Sequence, residues 1–170
     1  MTRPRLLIAE DDEALAALLE EYLSEANYEV VVCNRGDDAL NLIKREHFDL
    51  VLSDIVMPGC DGLMLLEEAR HDPAVTLVVL MTGYSGIEDA IHAVEQGAYD
   101  FVSKPFQLPE IRVRLDNASR YQSLLRLWKA RDKAGFEDWT LDHFQPLGKG
   151  VEATVQAGQA AIRAYGIVRE

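Results

Sequence analysis

Polar side chains that could do chemistry stand at four points where a short apolar segment of the sequence ends. They are Glu10 and Asp11, Asp54, Thr82 with the adjacent Gly83, and Lys104. Carboxylates are the oxygen ligands that a hard cation such as Mg²⁺ prefers, and a lysine ammonium suits a phosphate oxygen. Together these residue types could hold a divalent cation and a phosphoryl group in one pocket.

Asp54 follows an apolar segment that begins at Phe48, and Pro58 and Gly59 close the stretch. This pattern predicts a buried strand and then a turn, with the carboxylate where the strand ends. Ligands bind at the carboxyl ends of strands in open α/β sheets, where Asp54 could be a metal ligand, a general base or a nucleophile. A single aspartate before a loop is as often just the start of a turn, so the interpretation depends on the other three positions.

Four consecutive acidic residues follow the apolar segment Arg5–Ala9. Carboxylates are favoured at the positive end of a helix dipole, which explains Asp12 and Glu13 as the start of a helix. Glu10 and Asp11 end the strand instead, and a bound cation would relieve the repulsion between them.

The elements that must position these residues alternate regularly along the chain. Apolar or β-branched runs predict strands at Arg5–Ala9, Tyr28–Val32, from Phe48 towards Asp54, at Thr76–Met81 and at Ala98–Ser103. Apolar residues at helical spacing predict helices at Ala14–Ala26, Gly36–Glu46, Gly62–Arg70, Ile87–Gln96 and from Pro109 to about Lys133. This alternation predicts a doubly wound α/β fold with a parallel sheet.

The composition is that of a globular protein with an uneven charge. The chain has 170 residues, 48% of them hydrophobic and 27% charged, and a net charge of −12. Residues 1–104 carry −14 and residues 105–170 carry +2, so neither part has the basic surface that grips nucleic acid. No apolar run approaches the roughly 18 residues of a membrane span. Cys33 and Cys60 lack metal-ligand spacing and are expected to be free thiols in a reducing cytosol.

In order, spacing and placement at strand ends, the polar residues resemble the receiver domain of two-component response regulators. The resemblance extends from residue 5 to about residue 120. It is carried by Glu10-Asp11, Asp54 with Met57-Pro58-Gly59 and Asp61-Gly62, Thr82-Gly83, Phe101, and Lys104-Pro105-Phe106. It implies a flavodoxin-like fold, in which a five-stranded parallel sheet has the order 2-1-3-4-5 and a C-terminal helical extension follows.

The resemblance implies that Asp54 is the phosphorylation site and that Mg²⁺ is the cofactor. Asp11, Asp54 and the main-chain carbonyl of Val56 would ligate the metal directly, and Glu10 would act through water. The acidic pair is Glu10 and Asp11 rather than Asp11 and Asp12. In receivers the next helix has its first apolar residue four positions after the second acid, as it does after Asp11 here.

The same resemblance implies roles on the phosphoryl side of the site. Lys104, the Thr82 hydroxyl and the Gly83 backbone N–H would hold the phosphoryl oxygens. Thr82 and Phe101 would form the switch, although Phe101 could equally be an ordinary packing residue of its strand. The Lys104–Pro105 peptide bond is a candidate for the cis form.

The four histidines, at positions 47, 71, 92 and 143, do not stand at the ends of the predicted strands. We therefore expect a phosphoryl acceptor that receives its group from a histidine kinase or phosphotransfer protein. An enzyme of the same fold is disfavoured, because no Ser-His or Cys-His pair and no cofactor motif accompanies the site. Self-catalysed phosphotransfer and autodephosphorylation would be the only catalysis.

The sequence predicts a receiver domain over residues 1–122 and a helical extension of unknown role over residues 123–170. The apolar stripe with Leu115, Ala118, Leu125 and Trp128 is expected to run past the sheet uncovered. It could form a homodimer through the 115–130 region, or pack on the chain's own tail, where a second helix is predicted over residues 150–165.

The leading hypothesis is a cytoplasmic response regulator whose output runs through protein–protein contacts. The alternative is a transcription factor whose DNA-binding output domain is absent or unrecognised in this chain. The tail shows no clear helix-turn-helix with a basic recognition helix, which disfavours nucleic-acid binding by this chain itself.

Overall fold

The computed structural model describes residues 3–69, 72–83 and 87–130, except for the side chain of Ile87. The strands in this part of the chain are β1 (Arg5–Ala9), β2 (Glu29–Cys33), β3 (Leu50–Asp54), β4 (Leu77–Thr82) and β5 (Asp100–Ser103). The helices are α1 (Glu13–Glu25), α2 (Gly36–Arg45), α3 (Gly62–Ala69), α4 (Ile87–Glu95) and α5 (Leu108–Ala130). All strand pairs are parallel and the sheet order is β2-β1-β3-β4-β5, so the predicted flavodoxin-like fold is confirmed.

The three central strands supply most of the core. Every residue of β3 and β4 is buried, as are the last four of β1, because helices cover the sheet on both faces. Each fully buried leucine or isoleucine of these strands contributes about 2 kcal/mol of hydrophobic stabilisation. This burial fixes the register of the central strands. The register in turn determines where their carboxyl ends lie along the edge of the sheet.

Strands β2 and β5 both begin later than the sequence predicts, and the reason is the same for the two. Tyr28 precedes β2 because its N–H donates to the Leu23 carbonyl and closes the end of α1. Ala98 similarly precedes β5, because its N–H donates to the Ala93 carbonyl at the end of α4. The side chains of both residues are buried and fit the apolar pattern of the strand that follows, so the pattern predicted them to be strand residues. Their backbone N–H groups instead bond to the end of the preceding helix.

Gly97 closes the carboxyl end of α4. Its φ is +119°, in the region that favours glycine, and its N–H donates to the carbonyl of Val94. The helix itself ends at Glu95, one residue before the predicted end.

Helix α5 is continuous over its 23 residues and buries one heptad stripe. Its buried residues are Ile111, Leu115, Ala118, Gln122 and Leu125. The expectation that the stripe runs uncovered past the sheet is therefore wrong for Leu115, Ala118 and Leu125. The exposed apolar residues of α5 are instead Val113, Leu124 and Leu127.

The chain divides into two compact units, Met1–Arg120 and Tyr121–Glu170. The first contains the sheet. The second is described only to Ala130, the end of α5. The predicted helix over residues 150–165, and His71 and His143, lie outside the described residues.

No helix in the described part of the chain is both long and apolar enough to cross a membrane.

Candidate functional site

The carboxyl ends of four strands bring the predicted site residues to one edge of the sheet. Glu10 directly follows β1, Asp54 is the last residue of β3, Thr82 is the last of β4, and Lys104 directly follows β5. The register aligns these ends, because Ala9 pairs with Ser53, Asp54 with Met81 and Thr82 with Ser103. Residues separated by up to 94 positions in the chain therefore meet in one pocket.

Lys104 is the cation at the centre of this pocket. Its Nζ donates to Asp54 Oδ2 at 2.8 Å and also contacts Glu10 Oε1. Burial opposes the charged form of Lys104, but the hydrogen bonds that its ammonium donates to the two carboxylates outweigh this effect and raise the lysine pKa. The ammonium is thus held in its charged form and neutralises part of the negative charge of the pocket.

Glu10 is the most buried carboxyl group of the site, with no exposed surface. Burial raises its pKa to about 7, and the neighbouring Asp54 adds to the rise, whereas Lys104 lowers it. Its Oε2 atom is buried and has no hydrogen-bond partner among the residues that the structure describes. An unpaired buried carboxylate oxygen is costly, which indicates that this position takes a further partner.

Glu10, Asp11 and Asp54 form a cluster that fits a divalent cation. One ligand oxygen from each lies within 4.8 Å of the others. Asp11 is exposed and Asp54 largely buried, so the cluster opens to solvent on one side. Mg²⁺ is bound by a few carboxylates and keeps several waters, and such a half-open set of three carboxylates suits it.

Asp12 has a different role from the acidic residues before it. It is the N-cap of α1, and its Oδ1 accepts hydrogen bonds from the N–H groups of Ala14 and Leu15, each at 3.1 Å. A capping carboxylate satisfies backbone donors that the first turn of a helix leaves free. Its side chain is therefore committed to the helix, while Asp11 remains in the cluster.

Thr82 and Gly83 lie at the end of β4, beside the carboxylates. The Thr82 hydroxyl is buried and donates to the Gly83 carbonyl at 3.1 Å, and the Thr82 carbonyl accepts from the Lys104 N–H at 2.7 Å. A Cβ on Gly83 would meet no atom of the described residues within 4 Å, so the space before this backbone is open.

The remaining predicted residues lie around the pocket. Val56 follows β3 with a side chain that is 77% exposed. Phe101 is half-buried and packs against the core, next to Asp100, whose Oδ1 accepts the Phe101 N–H at 2.8 Å. The Lys104–Pro105 peptide bond is cis, as predicted.

A cavity of about 380 Å³ adjoins Lys104. Its lining residues in the described part of the chain are Leu15, Gly83, Lys104, Pro105 and Phe106. The cavity is mainly apolar apart from the ammonium, and it is large enough for a ring-sized group to approach the pocket.

Sequence reasoning assigned no supporting role to three residues that hold the backbone around the site. A Cβ on Gly62 would overlap the carbonyl oxygen of Asp54, and one on Gly36 would overlap that of Cys60. Asn34, at the end of β2, donates from Nδ2 to the carbonyl of Glu10 at 3.0 Å. The glycines at the first position of two predicted helices, Gly36 and Gly62, were a signal for close approach of the backbone, but the sequence held no such signal for Asn34.

Comparison with known proteins gives a consistent result for this part of the chain. The sequence model of the response regulator receiver domain matches residues 6–116, which is more than half of the chain. Transcriptional activator protein PfeR of Pseudomonas aeruginosa is 43% identical over 124 residues, covering 73% of this chain and 40% of PfeR. DNA-binding transcriptional regulator NtrC of Klebsiella pneumoniae is 35% identical over 123 residues, covering 72% of this chain and 26% of NtrC. The chain spans about half, or less, of the length of the curated relatives it matches.

Solved structures agree with the sequence relatives. A putative response regulator from Chloroflexus aurantiacus is 33% identical with a TM-score of 0.62, covering 68% of this chain and 97% of the other. The signal receiver domain of a putative LuxO repressor protein from Vibrio parahaemolyticus is 26% identical with a TM-score of 0.68, covering 74% and 96%. The similarity thus extends over nearly the whole of these domains.

Proposed function

This chain belongs to the response regulator receiver family, and from that premise we propose that Asp54 accepts a phosphoryl group from a phosphohistidine. The donor would be a histidine kinase or a phosphotransfer protein. The observation that carries the proposal is the position of Asp54, whose carboxylate lies at the end of the central strand in contact with Lys104. It shares this pocket with two further carboxylates suited to Mg²⁺.

The proposed reaction is a simple displacement at phosphorus. A carboxylate oxygen of Asp54 attacks the phosphorus, so that a P–O bond forms while the P–N bond to the donor ring breaks. The electron pair of that bond stays with the ring nitrogen, and the ring, protonated on its other nitrogen, leaves as neutral imidazole. The apolar cavity beside Lys104 would admit this ring.

Three carboxylates would hold the cation for this reaction. Asp11 and Asp54 would ligate Mg²⁺ directly, the Val56 carbonyl would add a ligand, and Glu10 would act through water. The bound cation would offset the negative charge of the phosphoryl oxygens during transfer. The support for this set is the cluster, whose ligand oxygens lie within 4.8 Å of one another, and the Oε2 atom of Glu10, which has no hydrogen-bond partner among the described residues.

Lys104, Thr82 and Gly83 would hold the transferred group. In the proposed phosphorylated state, Lys104 leaves the carboxylate of Asp54 for a phosphoryl oxygen. The Thr82 hydroxyl exchanges its present acceptor, the Gly83 carbonyl, for another phosphoryl oxygen. The movement of Thr82 would free space into which Phe101 turns, and this pair would carry the signal to α4 and α5.

The chain would act as a phosphoacceptor and not as a conventional enzyme. Its catalysis would be confined to its own phosphorylation and to the later hydrolysis of the phosphoaspartate by water. Its two cysteines, Cys33 and Cys60, are buried and free, which is typical of a reducing compartment and supports a cytoplasmic location.

Output would run through protein–protein contacts, including a homodimer through α5. The exposed Leu124 and Leu127 support such a contact, because large apolar side chains one turn apart favour a partner. A second candidate is regulation of transcription, because the relatives PfeR and NtrC are named as transcriptional regulators. A gel-shift assay at stated salt concentrations separates the two, because DNA binding weakens steeply with salt.

Mass spectrometry tests the central proposal. The full chain is incubated with a small phosphodonor and Mg²⁺, and the intact mass should rise by one phosphoryl group. Asp54→Asn should abolish the rise, whereas Asp61→Asn, an aspartate just after the same strand, should retain it. An unchanged rise in Asp54→Asn would contradict the assignment of the acceptor.

A further inference from the structure

The segment Cys33–Gly36, which joins β2 to α2, contacts the backbone of the acidic pair. The N–H of Glu10 donates to the carbonyl of Cys33 at 3.0 Å. The carbonyl of Glu10 accepts from the side-chain amide of Asn34, also at 3.0 Å. Both polar backbone groups of Glu10 are thus bonded to the end of a neighbouring strand.

The same segment also contacts the loop that follows Asp54. The N–H of Gly36 donates to the carbonyl of Pro58 at 3.1 Å. Only a glycine permits this approach, because a Cβ at position 36 would overlap the backbone of Cys60. The end of β2, which carries no charged group for the site, therefore connects the segment that holds Glu10 and Asp11 to the loop that follows Asp54.

The carbonyl of Glu10 belongs to the peptide bond that joins it to Asp11. A peptide group is planar, so a hydrogen bond that holds this carbonyl also sets the direction in which the chain continues to Asp11. The next residue, Asp12, is held by its capping bonds to α1. The Asn34 amide is therefore the side-chain contact that sets the orientation of the peptide between the two acids.

From this geometry we propose that Asn34 is a positioning residue for the divalent-cation site. Its amide orients the Glu10–Asp11 peptide and so holds the two carboxylates in place before the cation arrives. The inference rests on the proposed function, because it concerns how the same carboxylates bind Mg²⁺. Asn34 is exposed and adds little to the core, so a general role in stability does not explain the contact.

Two substitutions distinguish positioning from charge. Asn34→Ala removes the donor, and Asn34→Asp keeps the shape but replaces the donor with a negatively charged acceptor that repels the Glu10 carbonyl. If orientation is what matters, both variants should bind Mg²⁺ roughly three- to tenfold more weakly, as expected for the loss of one hydrogen bond. If only charge matters, the aspartate should strengthen Mg²⁺ binding.

Titration calorimetry of the full chain with Mg²⁺ alone measures these affinities, and Asn41→Ala, an exposed asparagine on α2, serves as the matched control. Unchanged affinity in Asn34→Ala, or affinity in Asn34→Asp equal to or above that of the unmodified chain, would overturn the inference alone. Failure of the unmodified chain to bind Mg²⁺ would overturn the proposed function as well.

Discussion

The ammonium nitrogen of Lys104 lies 2.8 Å from Oδ2 of Asp54, the carboxylate oxygen of the proposed phosphoacceptor. The same ammonium contacts Glu10, so one cation serves two buried carboxylates. A divalent cation in the cluster would draw on the same oxygen atoms. Lysine and metal are therefore expected to compete for the pocket, and this competition can be measured.

Lys104→Met should destabilise the metal-free protein, because it leaves two buried carboxylates without their cation. Removing one partner of a buried ion pair costs about 3 kcal/mol in the free energy of unfolding. Mg²⁺ should recover much of this loss and bind more tightly than to the unmodified chain. Urea unfolding in chelator and in Mg²⁺ measures both effects, with the exposed Lys44→Met as control. Equal losses in the two variants would show that the ammonium does not neutralise the pocket.

Asp11→Ala and Asp12→Ala should separate metal binding from helix capping. Asp11→Ala should abolish Mg²⁺ binding and phosphorylation together, with little change in metal-free stability. Asp12→Ala should keep both activities but lose about 1 kcal/mol of stability, since its carboxylate caps α1. Calorimetric Mg²⁺ titration and urea unfolding of each variant are the measurements. If both variants lost metal binding equally, the acidic pair would have to be reassigned.

The stability of the metal-free protein should fall as the pH rises through the titration of Glu10. Its pKa is raised in the folded state from 4.5 to about 7, so the folded chain binds this proton more tightly than the unfolded chain. The stabilisation is complete below the unfolded pKa of 4.5 and is lost by about pH 7, with a total of about 3 kcal/mol.

Glu10→Gln should flatten this pH dependence, and the exposed Glu20→Gln should leave it unchanged. Mg²⁺ should also flatten it, because the bound cation favours the ionised carboxylates. Urea unfolding at a series of pH values tests these statements. If the pH dependence between pH 4.5 and 7 were the same in the unmodified chain and in Glu10→Gln, the raised pKa of the Glu10 carboxyl would be contradicted.

Gly62→Ala should cost far more stability than Gly83→Ala. The new Cβ at position 62 would overlap the Asp54 carbonyl, and backbone must move to relieve it, at about 2 kcal/mol. At position 83 the Cβ meets no described atom within 4 Å, so the folded state should tolerate it. Thermal unfolding compares the two directly, and similar midpoints would show that the β3–α3 turn yields without strain.

The α5 homodimer should depend on Leu124 and Leu127. Sedimentation of the full chain at tens of micromolar should show a dimer, favoured by a phosphate analogue, that Leu124→Glu and Leu127→Glu disrupt. Leu18→Glu, on the exposed face of α1, should leave the dimer intact. A monomer in both states of the unmodified chain would end the homodimer proposal.

The fold was largely predictable because apolar patterning reports burial directly. The runs that became β1, β3 and β4 are buried along nearly their whole length, and a parallel sheet requires such runs. Tyr28 and Ala98 were assigned to strands because periodicity detects a buried side chain but not the hydrogen bond of its backbone.

The site was predictable as a set of residues and only partly as a set of contacts. The predicted strand ends placed Glu10, Asp54 and Lys104 at the same edge of the sheet. That a single ammonium contacts both carboxylates depends on strand register and side-chain rotamers, which composition does not determine. Asn34 was overlooked because it contributes one neutral hydrogen bond to a backbone carbonyl. No sequence pattern predicts such a bond.

The unbroken course of α5 has a consequence for protein engineering. The helix continues without interruption from Leu108 to Ala130. The length of the helix therefore sets both the position of a domain fused after it and the rotation of that domain about the helix axis. Each residue inserted or deleted at the junction would turn that domain by about 100° and shift it by about 1.5 Å. Chimeric sensors built from this receiver should therefore recover their response best when about seven residues are inserted or deleted, because seven residues are close to two full turns of helix.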